Sequence, residues 1–236
     1  MVDTQVSEAC SARCEGSSPS LGTILKDNRT RCYSKWGLLT SPVRVPSRAP
    51  NTMKKIIIIH GFEGSPNGGW RPWLMRELEK KDIYACALSM PDSDNPICSE
   101  WIAEIDRHVQ RNRGDEIYLI GHSLWGPAIL RYLEIAHAQS IAGTVLVSSP
   151  SVKNNNSKLD SFLGRDFDFE KIISSCKTFS IIHGSNDPLV PLENAQFLAK
   201  MLHWDLIVVN NGGHLNGSSG CFELPECLKS LENMFS

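Results

Sequence analysis

Residues 116–133 read E-I-Y-L-I-G-H-S-L-W-G-P-A-I-L-R-Y-L. The apolar run Ile117 to Ile120 reaches Gly121, after which the apolar spacing changes from that of a strand to that of a helix. A buried strand, a sharp turn centred on Ser123 and a helix therefore follow one another with no polar loop between them. Such a turn forces the serine into a strained backbone conformation and holds its hydroxyl out at the C-terminal edge of a sheet. A helix expected to begin at Ser123 brings unsatisfied N–H groups and a positive dipole end to the same point, where a developing oxyanion would sit. A serine before a helix is also an ordinary cap, so any further machinery has to be found elsewhere in the chain.

Outward from this segment, short β-branched runs recur at 55–60, 83–88, 143–148, 178–183 and 205–209, beside the run at 116–121. Helical stripes alternate with them: Trp70, Trp73, Leu74 and Leu78; Trp101, Ile102, Ile105 and Val109; Leu192, Ala195, Leu198 and Leu202; and Cys227, Leu228, Leu231, Met234 and Phe235. Strands apolar on both faces need cover on both, so the pattern predicts an α/β fold: a mostly parallel sheet with helices on either side. The aromatic residues in the stripes read as core positions, not as a cofactor box. No internal repeat or second core is evident. Residues 1–52 differ, being rich in Ser, Arg and Pro with seven basic side chains against four acidic ones. They are expected to form a disordered or weakly ordered tail, and 53–236 the folded domain. An organelle-targeting role for the tail is the alternative, opposed by Asp3, Glu8 and Glu15.

Twenty-four basic and 26 acidic residues leave a formal charge of -2, too weak a field to gather a phosphate backbone. Nucleic acid is not an expected partner. The longest aliphatic run is Ile56 to Ile59, far below the roughly 20 apolar residues of a membrane-spanning helix, so integral membrane association is not expected. The eight cysteines show no C-x-x-C pair and no zinc-ligand spacing, which suits reduced thiols in a cytoplasmic protein. G-G-W at 68–70 lacks the remaining glycines or the lysine of a phosphate-binding loop. No metal or organic cofactor is expected.

Two further strand ends carry chemistry. H-G-S-N-D-P-L-V-P at 183–191 places Asp187 in a polar turn, and N-N-G-G-H-L-N at 210–216 places His214 on a glycine-rich loop. The chain order Ser123, Asp187, His214 is the order nucleophile, acid, base used by α/β-hydrolases. The first strand runs into H-G-F-E-G-S-P at 60–66, whose turn could aim the Phe62 N–H at the same point as the Leu124 N–H to form an oxyanion hole. His60, His122 and His183 compete with His214 as base. His60 and His183 precede glycines at strand ends and read as loop-locking hydrogen bonders, and His122 should point away from the turn. Asp92 and Asp94 are rival acids that read as turn formers.

From Met53 onward the chain resembles the small, lid-poor α/β-hydrolases related to retinoblastoma-binding protein nine and its bacterial serine-hydrolase relatives. The motifs that carry the resemblance fall in the family's order: H-G-F-E-G-S-P with Trp70 and Trp73, M-P-D-S-D-N-P with Trp101, G-H-S-L-W-G-P, H-G-S-N-D-P-L-V-P and G-G-H-L-N. The resemblance implies the α/β-hydrolase fold with a minimal lid, and a serine hydrolase with Ser123 as nucleophile, Asp187 as acid and His214 as base. Retinoblastoma-protein binding does not carry over, because neither Cys98 nor Cys221 lies in an L-x-C-x-E sequence.

One position departs from the family: its elbow has glycine two residues after the nucleophile, and this chain has Trp125. Overpacking at the turn would move backbone and leave a fold without activity. Alternatively the helix shifts and the indole covers a neighbouring apolar surface. The leading expectation is a carboxylesterase-like hydrolase cleaving a small ester or thioester through an acyl-enzyme on Ser123. The alternatives are a catalytically impaired binding protein and an acyltransferase using the same triad. The segment 149–175, where larger relatives insert a lid, contains Phe162, Leu163, Phe167 and Phe169 but is too short to cover much, which implies a shallow acyl pocket.

Overall fold

The computed structural model describes residues 52–60, 65–135, 141–153 and 156–236. The tail expected over 1–52 thus lies, but for residue 52, outside the described residues. The chain elements in order are β1 (Lys54–Ile59), α1 (Arg71–Glu79), β2 (Tyr84–Leu88), α2 (Cys98–Arg111), β3 (Glu116–His122), α3 (Trp125–Ile135), β4 (Gly143–Val147), α4 (Asp160–Leu163), α5 (Phe169–Ser175), β5 (Phe179–Gly184), α6 (Leu192–Leu202), β6 (Leu206–Val209) and α7 (Pro225–Met234). Each strand ends within one residue of the run read from the sequence. The helix after the Ser123 turn starts at Trp125, two residues later than expected, because Ser123 and Leu124 are spent on the turn.

All five strand pairings are parallel, in the order β2-β1-β3-β4-β5-β6. Side chains alternate across the sheet. Ile57, Ile59, Leu119, Leu146 and Ile181 face one core with α2, α3 and α6, while Ile56, Ile58, Ile120, Val145 and Ile182 face a second with α1 and α7. Burial on both sides is why β3 and β4 read as continuous apolar runs. From β1 the chain leaves toward β2, and from β3 toward β4, so the strand order reverses between β1 and β3. The crevice outside the C-terminal ends of strands at such a switch point is where open α/β sheets bind ligands.

The segment after β4 is tied to α3 by Arg131, which is 1% exposed. Its guanidinium donates to the Phe162 carbonyl (2.8 Å), the Asp166 carbonyl (3.0 Å), the Arg165 carbonyl and Glu134 (2.8 Å), and lies 3.9 Å from the Phe167 ring centroid. Glu134 in turn accepts from the Asp168 amide at 2.8 Å and pairs with Arg165. Phe162 and Leu163 are therefore buried in the core, α4 and α5 lie against α3, and little chain remains to form a lid.

Candidate active site

Three strand ends deliver the site. At the end of β3 the Ser123 amide donates to the Val147 carbonyl at 2.8 Å, continuing the ladder, and the backbone then turns with Ser123 at φ +59°. This left-handed conformation is uncommon for a serine and is held by the elements on either side. The turn closes so tightly that a Cβ on Gly121 would stand 2.8 Å from the carbonyl carbon and oxygen of Trp125, and a Cβ on Gly126 would overlap the Ser149 side chain. Gly121 and Gly126 are thus the positions where strand, helix and the end of β4 need glycine.

The loop after β5 presents Asp187, whose side chain is fully buried. Its Oδ1 accepts from the amides of Leu189 (2.9 Å) and Val190 (3.0 Å). Burial alone would push this carboxyl up. Hydrogen bonds from His214 and from the two amides more than offset it and hold Asp187 below the ordinary carboxylate range. The loop after β6 presents His214. Its Nδ1 lies 2.8 Å from Asp187 Oδ2 and 3.0 Å from Oδ1, and its Nε2 lies 2.9 Å from Ser123 Oγ. An ionised carboxylate only accepts, so Nδ1 carries the proton and the bare Nε2 faces the serine hydroxyl. The structure therefore brings Ser123, Asp187 and His214 into one hydrogen-bonded line.

The competing side chains are turned to other partners. His183 Nε2 donates to the Val190 carbonyl at 2.9 Å, locking the loop that carries Asp187. His60 is buried with its ring edge-on to Trp125, centroids 5.3 Å apart. His122 points from the elbow into the molecule, where Nε2 lies 2.9 Å from the His214 carbonyl. Burial, and next the neighbouring His214, push its pKa down to about 3. Asp92 sits in a turn at φ +37° and accepts from the Asn95 amide, and the Asp94 carbonyl accepts from Lys158. Leu124, the residue after Ser123, is buried directly before α3, so the helix N-terminus stands beside Ser123. Phe62, the other expected oxyanion donor, falls in 61–64, outside the described residues.

Trp125 has left the turn to its backbone. The indole is completely buried and lies parallel to Trp101, ring planes 8° apart and centroids 2.9 Å apart, closer than the usual aromatic stack, so this layer is crowded; Trp101 packs edge-on against Phe162 with centroids 5.1 Å apart. The side chain lies in the core between His60, just past β1, and Trp101 of α2, and the hydrogen bond between Ser123 and His214 is present with it in place. Three polar contacts of the His214 loop were not read from the sequence. Trp70 Nε1 donates to the Leu215 carbonyl at 2.9 Å, the Gly213 amide to Asn186 Oδ1 at 2.9 Å, and the His214 amide to Ser219 Oγ at 3.1 Å. Trp70 carried only the signal of a core stripe, and main-chain partners leave no mark in a sequence.

Among the described residues no helix is long and apolar enough to cross a membrane, and no cluster of His, Cys, Asp and Glu could hold a metal. Residues 56–233 match the model of a family described as serine hydrolase. The chain is 32% identical over 185 residues to YdeN of Bacillus subtilis (strain 168), covering 78% of this chain and 97% of that protein. It is 24% identical over 187 residues to the serine hydrolase RBBP9 of Rattus norvegicus, covering 77% and 96%. The crystal structure of the B. subtilis ydeN gene product superposes with a TM-score of 0.74, covering 78% of this chain and 99% of that one.

Proposed function

The chain belongs to the serine hydrolase family, and from that premise we propose that it hydrolyses small ester or thioester substrates through an acyl-enzyme on Ser123. The observation that carries this reading is the pair of contacts made by one imidazole: 2.9 Å from Nε2 to Ser123 Oγ and 2.8 Å from Nδ1 to Asp187 Oδ2. In the first half-reaction Ser123 Oγ attacks the acyl carbon while His214 Nε2 takes its proton, giving a tetrahedral oxyanion. Collapse expels the leaving alcohol or thiol, to which His214 returns the proton. Water then attacks the ester on Ser123, His214 acting first as base and then as acid, and the carboxylic acid departs. Asp187 keeps the Nδ1–H tautomer and stabilises the imidazolium that forms in each half. The Leu124 amide and, on the sequence reading, the Phe62 amide serve the oxyanion, a role worth about 3–4 kcal/mol per donor in comparable sites.

An impaired, binding-only protein is the weaker reading, because the indole of Trp125 lies in the core and the serine keeps its contact with the base. Fluorophosphonate labelling of the purified protein separates the two. Labelling that is lost in Ser123→Ala supports the acyl-enzyme reading. A silent parent that labels after Trp125→Gly would sink it in favour of the binding protein. Adding an alcohol or amine and analysing products distinguishes hydrolysis from acyl transfer, which uses the same residues.

A further inference from the structure

Resting on the reading of His214 as the base, we propose that His122 and Trp70 are positioning residues that hold the base's loop to the nucleophile elbow through two ring N–H groups. The loop after β6 reaches Ser123 on a backbone that does not hold that shape by itself: Asn211 and Leu215 both sit in the left-handed region, at φ +54° and +48°. Two consecutive carbonyls of this loop point inward and each meets a buried ring donor. His122 Nε2 lies 2.9 Å from the carbonyl of His214 and Trp70 Nε1 lies 2.9 Å from that of Leu215. A carbonyl only accepts, so His122 carries its proton on Nε2. Its Nδ1 is buried with no hydrogen-bond partner among the described residues, so the carbonyl of the base is its one polar anchor. The two donors support each other, the His122 ring standing edge-on to Trp70 with centroids 6.2 Å apart at 82°.

The consequence follows from connectivity. His122 is covalently joined to Ser123, so its hydrogen bond to the His214 carbonyl ties the nucleophile's chain directly to the base's chain. Trp70 does the same from the start of α1, and Asn186 Oδ1, accepting from Gly213, from the loop of the acid. Neither ring touches the reacting atoms. Their effect is on the separation between Nε2 of His214 and Oγ of Ser123, and rate is steep in that separation, a misplacement of 1 Å costing up to about 100-fold.

The test uses the full chain and hydrolysis of p-nitrophenyl acetate, with fluorophosphonate titration of Ser123 and the melting temperature measured in parallel. Gln carries its amide nitrogen as many bonds from Cβ as His carries Nε2, whereas Asn places it at the Nδ1 position and Phe has no donor. His122→Phe and His122→Asn are expected to lower kcat roughly 10- to 100-fold with KM within about twofold, and His122→Gln to recover most of kcat. Trp70→Phe is expected to lower kcat in the same direction without raising KM. Equal kcat in the Gln, Asn and Phe variants, or losses that track melting temperature alone, would overturn the inference while leaving the triad intact. A parent in which Ser123 takes no fluorophosphonate would overturn the catalytic reading and this inference with it.

Discussion

Replacing Gly121 with alanine tests whether close backbone approach at the elbow, and not the identity of residue 125, limits catalysis. A Cβ at 121 would stand 2.8 Å from the carbonyl carbon and oxygen of Trp125 and 2.9 Å from the amide nitrogen of Gly126. Carbon atoms pack at about 3.5 Å, so something has to yield by about 0.7 Å. All three neighbours are main-chain atoms, so no side-chain rotation relieves the contact. The start of α3 moves instead, and takes Ser123 and the Leu124 amide with it. On the scale of about 100-fold for 1 Å, kcat/KM should fall about 10- to 100-fold. Overpacking of this kind destabilises by about 1–3 kcal/mol, or roughly 2–12 °C in Tm for a domain of this size. Trp125→Gly is the complementary change. It empties a buried site and costs about 3–5 kcal/mol, yet it should not raise kcat/KM, since the indole is not what crowds the turn. Steady-state ester hydrolysis and circular-dichroism melting of both variants decide the matter. A Gly121→Ala protein with parental kcat/KM, or a Trp125→Gly protein more than tenfold faster than its parent, would refute the steric reasoning.

Asp187→Asn should leave the fold intact and lower kcat about 10⁴-fold, because the amide no longer selects the Nδ1–H tautomer; single-turnover labelling of Ser123 reads this, and a loss below tenfold would contradict the role. Arg131→Met takes the guanidinium from three carbonyls and leaves Glu134 only Arg165 and the Asp168 amide, so urea unfolding should show a loss of about 1–3 kcal/mol; a neutral result would show that the clamp on α4 and α5 is dispensable. His122 titrates at about 3 when folded and near ~6.5 when unfolded. Between those values the unfolded chain binds the extra proton, so stability declines as pH falls through the window, by up to about 1.4 kcal/mol per pH unit from this group. Burial sets that shift first, with the charges of His214 and Arg71 adding to it and the hydrogen bond to the His214 carbonyl and the Asp187 charge opposing it. His122→Gln should remove that part of the slope between pH 7 and pH 5, and an unchanged slope would refute the assignment.

The sheet was readable because of how it is buried. Runs such as Ile56 to Ile59 and Ile117 to Ile120 are apolar on both faces, since helices cover both, and short β-branched runs between polar turns have few other uses. Helix stripes were readable at Leu74 and Leu78, or at Trp101, Ile105 and Val109, because α1 and α2 are long enough to repeat. At four and seven residues, α4 and α5 are too short to show a period, and they were read only as a segment with several aromatic residues. What fixes them is Arg131, a cation in an apolar helix whose acceptors lie 31–35 residues further along the chain. No local pattern announces such a contact.

The site divides along the same line. Ser123, Asp187 and His214 could be read together because each follows a strand whose end is marked by small or polar residues, and strand ends of a parallel sheet lie at one edge. The line of contacts joining them needed only the chain order to be guessed. The placement of Trp125 needed more. A glycine motif treats every position of an elbow as equally crowded, but the crowding belongs to particular Cα–Cβ directions: Gly121 faces the backbone of the returning helix, Gly126 faces Ser149, and residue 125 faces the layer between sheet and α2. Whether an indole fits there depends on Trp101 and Phe162, 24 residues before and 37 after it. Substitution of the motif glycine is therefore a question about the partner layer, and the same tryptophan over a layer of large, rigid side chains with no room for the ring would displace α3 and the serine with it.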